Sequence, residues 1–211
     1  MTTSNRIWNF WSRHYESLWV QGLSLAPTRD NVIRELEAII KDKSKAYRIL
    51  DIGCGTGQLL NQLSQVFSDY DLRLTGLDFS EGMIVEAKKK NPAIAFYHMN
   101  VEDLEAKTER YDILICTHSF PYYDNQEKAI VLMKNMLVKD GILLLAQASA
   151  NSLYDSLAMF LVKITTGKAN YLSVKEMRRI LSVDLYLSKL VRIRTKWFMP
   201  SIYLFLMKKV V

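Results

Sequence analysis

At 211 residues, 49% of them hydrophobic and 24% charged, the chain has the length and composition of one globular domain able to bury a substantial core. No apolar run approaches the roughly 20 residues of a membrane span, and Met1-Thr-Thr-Ser-Asn-Arg6 lacks the apolar stretch of a signal peptide. Two cysteines and three isolated histidines give neither a disulfide framework nor metal-ligand spacing, so a cytoplasmic protein without a metal is expected.

Residues 5 to 20 form the first expected element, where Trp8, Trp11, Tyr15, Leu18 and Trp19 recur at steps of three and four along one helical face. That face fits plain core packing and equally a surface that closes over a ligand. Pro27 to Lys43 reads as a second helix with Val32, Ile33, Leu36, Ile39 and Ile40 as its apolar stripe. Asp30 near its start and Lys41 and Lys43 near its end suit the helix dipole.

Arg48-Ile-Leu-Asp-Ile-Gly-Cys-Gly-Thr-Gly-Gln-Leu-Leu60 then combines a buried parallel strand (Ile49, Leu50, Ile52), a loop (Gly53, Gly55, Gly57) and a helix from Gln58 to Phe67. Such a helix points free N–H groups and its positive end at whatever lies on the loop. The dinucleotide fingerprint G-x-G-x-x-G/A requires a small residue where Gln58 stands, so it fails. Asp51 beside the loop suits an ammonium and would repel a phosphate. The pattern D-x-G-x-G-x-G resembles motif I of the class I S-adenosylmethionine-dependent methyltransferases, whose loop cradles the zwitterionic methionine end of that cofactor.

The resemblance implies an α/β, Rossmann-like, doubly wound and mostly parallel seven-stranded sheet with an antiparallel C-terminal hairpin and an N-terminal helical lid. One domain, 1–211, would then divide into a lid (1–45), a cofactor core (46–150) and acceptor-region helices with the closing hairpin (151–211). Asp51, Gly53, Cys54, Gly55 and Gly57 would hold the methionine end, and the aromatic face carrying Tyr15 would cover the transfer site.

Leu72 to Asp78 alternates as a strand and ends in an acid 21 residues beyond Gly57, near where nucleotide-binding α/β folds place the carboxylate for the ribose hydroxyls. Asp78, with Phe79 after it, matches the family's second motif, and Ser80 is free to cap the helix that Lys88-Lys-Lys90 ends. Ile94 to His98 is the third strand. Where the family commonly has an Asp on the adenine, this chain has Asn100, followed by Val101 and Glu102; an Asn carbonyl accepts the same hydrogen bond without charge, and Glu102 or Asp103 would share it.

Tyr111 to Cys116 is a buried strand leading into Thr117-His-Ser-Phe-Pro-Tyr-Tyr123. Ligands in open α/β sheets lie beyond the carboxyl ends of the strands, so Thr117, His118 and Tyr122 point at the transfer site. His118 is a candidate general base, because its ordinary pKa lies near working pH, or else a structural hydrogen-bonding residue. Asp124 and Glu127 have capping-box spacing, Ala129 to Val138 reads as a helix stopped by Gly141, and Ile142 to Ala146 as the fifth strand.

Asn151 to Ile164 is an amphipathic helix with Leu157 and Phe160 on its apolar side, Ser173 and Glu176 open another, and Val191 to Met199 pairs with Ile202 to Met207 around Pro200-Ser201. The stretch 163–211 carries eleven Lys/Arg against two Asp/Glu, while residues 51–150 carry nine against fourteen. The basic excess reads as a solvated face, or as weak attraction to an anionic membrane surface or nucleic acid. Phe120, Tyr122, Tyr123, Trp11, Tyr15, Leu157 and Phe160 suit a small apolar or aromatic acceptor. Methyl transfer from S-adenosylmethionine, leaving S-adenosylhomocysteine, is therefore expected, with a non-catalytic cofactor-binding module and an RNA-directed enzyme as rivals. The N/D-P-P-Y/F signature of amino-directed nucleic-acid methyltransferases is absent from Thr117 to Tyr122.

Overall fold

The computed structural model describes residues 21–152, 154–155, 159, 169–181, 184–194, 196 and 199–210. The aromatic face with Trp8, Trp11, Tyr15 and Trp19, and most of the expected 151–164 helix including Leu157 and Phe160, lie outside the described residues.

Among the described residues seven strands form one sheet: β1 (Tyr47–Ile52), β2 (Leu72–Asp78), β3 (Ala95–His98), β4 (Tyr111–Thr117), β5 (Leu137–Ala148), β6 (Leu185–Ile193) and β7 (Ile202–Lys209). Their order is β3-β2-β1-β4-β5-β7-β6. The first five run parallel, and β7 is antiparallel to both β5 and β6. The described helices are α1 (Ala26–Ile39), α2 (Gln58–Val66), α3 (Glu81–Lys90), α4 (Gln126–Met136) and α5 (Val174–Arg179).

Successive strand side chains point to opposite faces, and both faces here are covered, which is why β1 is apolar at consecutive positions. Ile49, Ile113, Ile115 and Leu144 pack with Val32 and Leu36 of α1, Leu60 and Leu63 of α2 and Ile84 of α3. Leu50, Leu114, Leu143 and Leu145 pack on the other face with Ile130 and Met133 of α4 and Met177 of α5. The winding reverses between β1 and β4, and a crevice opens there at the carboxyl ends of the strands.

Phe96 of β3 fills the space beneath the glycine loop. A Cβ on Gly57, whose φ is +78°, would lie 2.7 Å from the Phe96 ring, and one on Gly76 of β2 would lie 2.6 Å from the ring and 2.8 Å from Cys54 Sγ. The two glycines thus give up side chains so that one buried aromatic can occupy their shared volume.

Several boundaries differ from the sequence expectation. Helix α4 starts earlier and ends at Met136, and its cap is Asn125, whose side chain accepts from the Lys128 N–H, rather than the Asp124 and Glu127 box. Gly141 does not stop a helix. It lies within β5 beside Asp140, whose φ is +61°, where the register against β4 shifts by a bulge. The closing hairpin pairs Leu185–Ile193 with Ile202–Lys209, so its first strand begins earlier than Val191 and its connection is longer than Pro200-Ser201. The caps expected at Ser80 and at Ser173 with Glu176 are present.

Candidate active site

Strand β1 delivers Asp51 to the crevice, and the following residues turn back through three positive φ angles: 78° at Gly53, 54° at Gly55 and 78° at Gly57. Only glycine adopts such a run without strain. The loop is held from two sides. Gly55 N–H donates to Asp78 Oδ2 at 2.9 Å, and Ser80 N–H donates to Asp78 Oδ1 at 2.9 Å. From β4, Ser119 Oγ donates to the Ile52 carbonyl at 3.0 Å and lies so close to Gly53 that a Cβ there would collide with it.

Leu25, Arg29, Asp51, Gly53, Cys54, Gly55, Thr56, Gln58, Leu59, Thr117 and His118 line one cavity at this point. The structure therefore brings together six residues singled out from the sequence (Asp51, Gly53, Cys54, Gly55, Thr117 and His118), with Asp78 one hydrogen bond behind them. Gly57 stands at the N-cap of α2. Asn100, Val101 and Glu102 follow β3 beside Asp78, whose carbonyl accepts the Met99 N–H, and Phe79 sits there with its carbonyl 2.9 Å from His98 Nε2. Asp103 Oδ2 accepts the Asn100 N–H at 2.9 Å. Tyr122 is outside the cavity lining, its hydroxyl 3.4 Å from that of Tyr171. Cys54 and Cys116 are buried free thiols.

Asp51 is 1% exposed, and its Oδ1 has no hydrogen-bond partner. Burial, then the neighbouring Asp78 charge, push Asp51 up to about 7; burial pushes Asp78 up to about 6 against the pull of the Ser80 and Gly55 N–H groups. Arg29 and Gln58, at the N-terminus of α2, line the same cavity. Arg29 Nη1 donates to Gln21 Oε1 at 3.1 Å and Gln58 Oε1 at 3.0 Å, which fixes the guanidinium over the loop. Sequence reasoning missed Arg29, although a cation near the start of a helix opposes the dipole and is a local conflict of the kind that marks a site.

Thr28, one residue before Arg29 and fully buried, reaches across to the β4 loop, with Oγ1 2.8 Å from His118 Nε2. His118 itself has φ +61°. Burial, then Arg29, push its pKa down to about 4.

Residues 49–141 match a family described as a methyltransferase domain. Malonyl-[acyl-carrier protein] O-methyltransferase of Bacillus anthracis is 35% identical over 103 residues, 48% of this chain and 37% of that protein. The ubiquinone/menaquinone biosynthesis C-methyltransferase UbiE of Campylobacter jejuni subsp. jejuni is 31% identical over 106 residues, 49% of this chain and 45% of that protein. The chain thus spans less than half the length of these curated relatives. Magnesium protoporphyrin IX methyltransferase of Synechocystis PCC 6803, solved with bound S-adenosylhomocysteine, superposes with a TM-score of 0.68 at 20% identity, over 86% of this chain and 82% of that one, and so shares the fold. The glycine loop, the strand order and the match over residues 49–141 make this part of the chain similar to a methyltransferase domain.

Proposed function

We propose that the chain transfers a methyl group from S-adenosylmethionine to a small, largely apolar or aromatic acceptor. The observation that carries this reading is the unpartnered, buried Asp51 Oδ1 in a cavity that Arg29 and the glycine loop also line. A buried carboxylate oxygen without a donor is costly, and an α-ammonium supplies the donor it lacks. Arg29 and the free N–H groups of α2 suit the α-carboxylate of the same amino-acid end.

In this reading Asp51, Gly53, Cys54, Gly55 and Gly57 receive the amino-acid end, Asp78 with Phe79 the ribose, and Asn100, Val101 and Glu102 the adenine. The cofactor supplies an electrophilic methyl group on a positive sulfonium. The protein's part is alignment, since holding donor and acceptor in line removes most of the entropic cost of their encounter. Thr117 sits at the mouth of β4 next to that line. Tyr122 and Tyr15 remain proposed acceptor contacts. The acceptor lies over β4 and β5, because the cofactor-facing groups occupy the ends of β1, β2 and β3.

Calorimetry with S-adenosylmethionine, S-adenosylhomocysteine and NAD tests the cofactor. Binding of the first two and not the third is expected; NAD binding alone sinks the reading. Radiolabelled transfer to phenols, quinols, amines and lipids, against total RNA across a salt series, tests the acceptor class. Label confined to RNA with a steep salt slope replaces the small molecule by nucleic acid. Label confined to lipid vesicles gives the basic C-terminal stretch the membrane role.

A further inference from the structure

Beyond the point where His118 N–H donates to the Ala146 carbonyl, β5 continues past the end of β4, and its next inward side chain is Gln147. Gln147 is fully buried. Its Nε2 lies 3.5 Å from the Leu172 carbonyl, and the opposite amide orientation would set oxygen against oxygen there. Its Oε1 then has no partner, and two residues on the fully buried Ser149 Oγ has none either. Two unsatisfied polar side chains in sequence at the end of one strand are uncommon in a folded interior, where nearly all such groups are paired. Nothing in the cofactor reading uses them, for they lie on the acceptor side of the winding reversal.

We propose that Gln147 and Ser149 form the polar subsite for the methyl acceptor, and that it takes a hydroxyl or N–H group, so the acceptor presents a hydrogen-bond donor there and not a carboxylate. This rests on the methyltransferase reading above. An amide oxygen only accepts, so it must meet a donor. A carboxylate acceptor has none to give at neutral pH. The surroundings disfavour one further: Ser149 N–H donates to the Ser201 carbonyl, and the N–H of Ser201 is held by the buried carboxylate of Asp155 at 2.8 Å, which places a negative charge one residue away. The same strand-end is braced as a site would be. Gln126 Nε2 donates to the carbonyls of Phe120 and Asn170, and Asn170 Nδ2 returns a bond to Gln126 Oε1 at 2.9 Å, fastening the segment around Tyr171 and Leu172 over the β4 loop.

The test uses ligand-observed NMR on the full chain saturated with S-adenosylhomocysteine and three probes of one size: catechol, anisole and benzoate. Catechol is expected to bind and the other two not. Gln147→Leu, which replaces an unpaired amide by an apolar group of similar shape, is expected to weaken catechol by about tenfold while leaving S-adenosylhomocysteine affinity unchanged and the thermal midpoint level or higher. Benzoate binding, equal binding of all three probes, no catechol binding, or catechol binding that survives in Gln147→Leu each overturns the subsite. A lowered midpoint with unchanged catechol affinity shows that an ordered water satisfies Gln147 and overturns it as well. Loss of S-adenosylhomocysteine binding by the wild-type protein is a separate readout and overturns the cofactor reading instead.

Discussion

Thr28 Oγ1 donates its one hydrogen to the Ser24 carbonyl at 2.8 Å and lies 2.8 Å from His118 Nε2, so the imidazole must be the donor in that second bond. His118 therefore carries its proton on Nε2, and only Nδ1 has a lone pair. With its pKa pushed down to about 4 it is a weak base at neutral pH. The contact is better understood as a clasp that ties α1, and with it Arg29, to the end of β4.

A clasp and a base make different predictions. His118→Asn, which tolerates the positive φ, is expected to keep most turnover, and the pH profile to show no inflection near 6.5 from an imidazole. Thr28→Val leaves a donor unpaired and is expected to cost about 1–2 kcal/mol of stability. Nitrogen-15 shifts of His118 should report the neutral Nε2–H form at pH 6. A loss of turnover in His118→Asn with unchanged cofactor affinity restores the base.

In the proposed reading Asp51 links cofactor affinity to protons. Without ligand it holds a proton up to about pH 7; an ammonium beside it favours the carboxylate, so the bound state carries fewer protons. Affinity should then rise as pH rises toward 7 and level off above. Calorimetry in buffers of differing ionisation enthalpy should register proton release near pH 6. No release means Asp51 does not meet the ammonium.

The same shift has a stability consequence of opposite sense. Because the folded pKa of Asp51 lies above its unfolded value of 3.8, its contribution is fully present below that value and is lost as pH rises through about 7. Asp51→Asn should relieve an alkaline cost of about 4 kcal/mol and raise the thermal midpoint at pH 8 while abolishing cofactor binding. A midpoint that falls at pH 8 contradicts the buried, unpaired carboxylate. His118 works in the other direction, adding stability as pH climbs from about 4 through its unfolded value of 6.5.

Arg29→Met should weaken S-adenosylhomocysteine by roughly 2–3 kcal/mol, the scale for losing a hydrogen bond to a charged group. Adenosine, which has no amino-acid end, should bind both forms alike. Equal losses for the two ligands would show that Arg29 only braces Gln21 and Gln58.

Asp78→Ala should cost a similar roughly 2–3 kcal/mol, through the ribose and through the freed Gly55 N–H together. Unchanged affinity removes the ribose assignment.

The glycine loop, the acid that ends β2 and the order of strands and helices were legible because each rests on local rules: glycine where φ is positive, apolar runs where both faces are covered, Ser80 where a helix starts. Boundaries failed where competing local signals were close. Asn125 outbid Asp124 as a cap, and Asp140 took the positive φ that pointed to Gly141 as a helix stop. The first hairpin strand was misplaced because Leu185 to Leu190 lacks strict alternation and carries a register shift between Leu187 and Lys189. Arg29, Thr28 and Gln147 became visible only when chain segments far apart in sequence met, since nothing in their own neighbourhoods states what lies opposite.

The packing of Phe96 against Gly57 and Gly76 also constrains how this protein can drift. The three positions share one volume, so none is free to change alone: Gly76→Ala drives a methyl into the ring, whereas Phe96→Leu opens room for it. The double change should recover part of the stability that Gly76→Ala alone forfeits, Cys54 Sγ still lying 2.8 Å from the new methyl, and a thermal-melt cycle of the four forms measures that coupling. Among natural variants of this chain, an alanine at position 76 should therefore arrive with a smaller residue at 96, a paired signature readable from sequences alone.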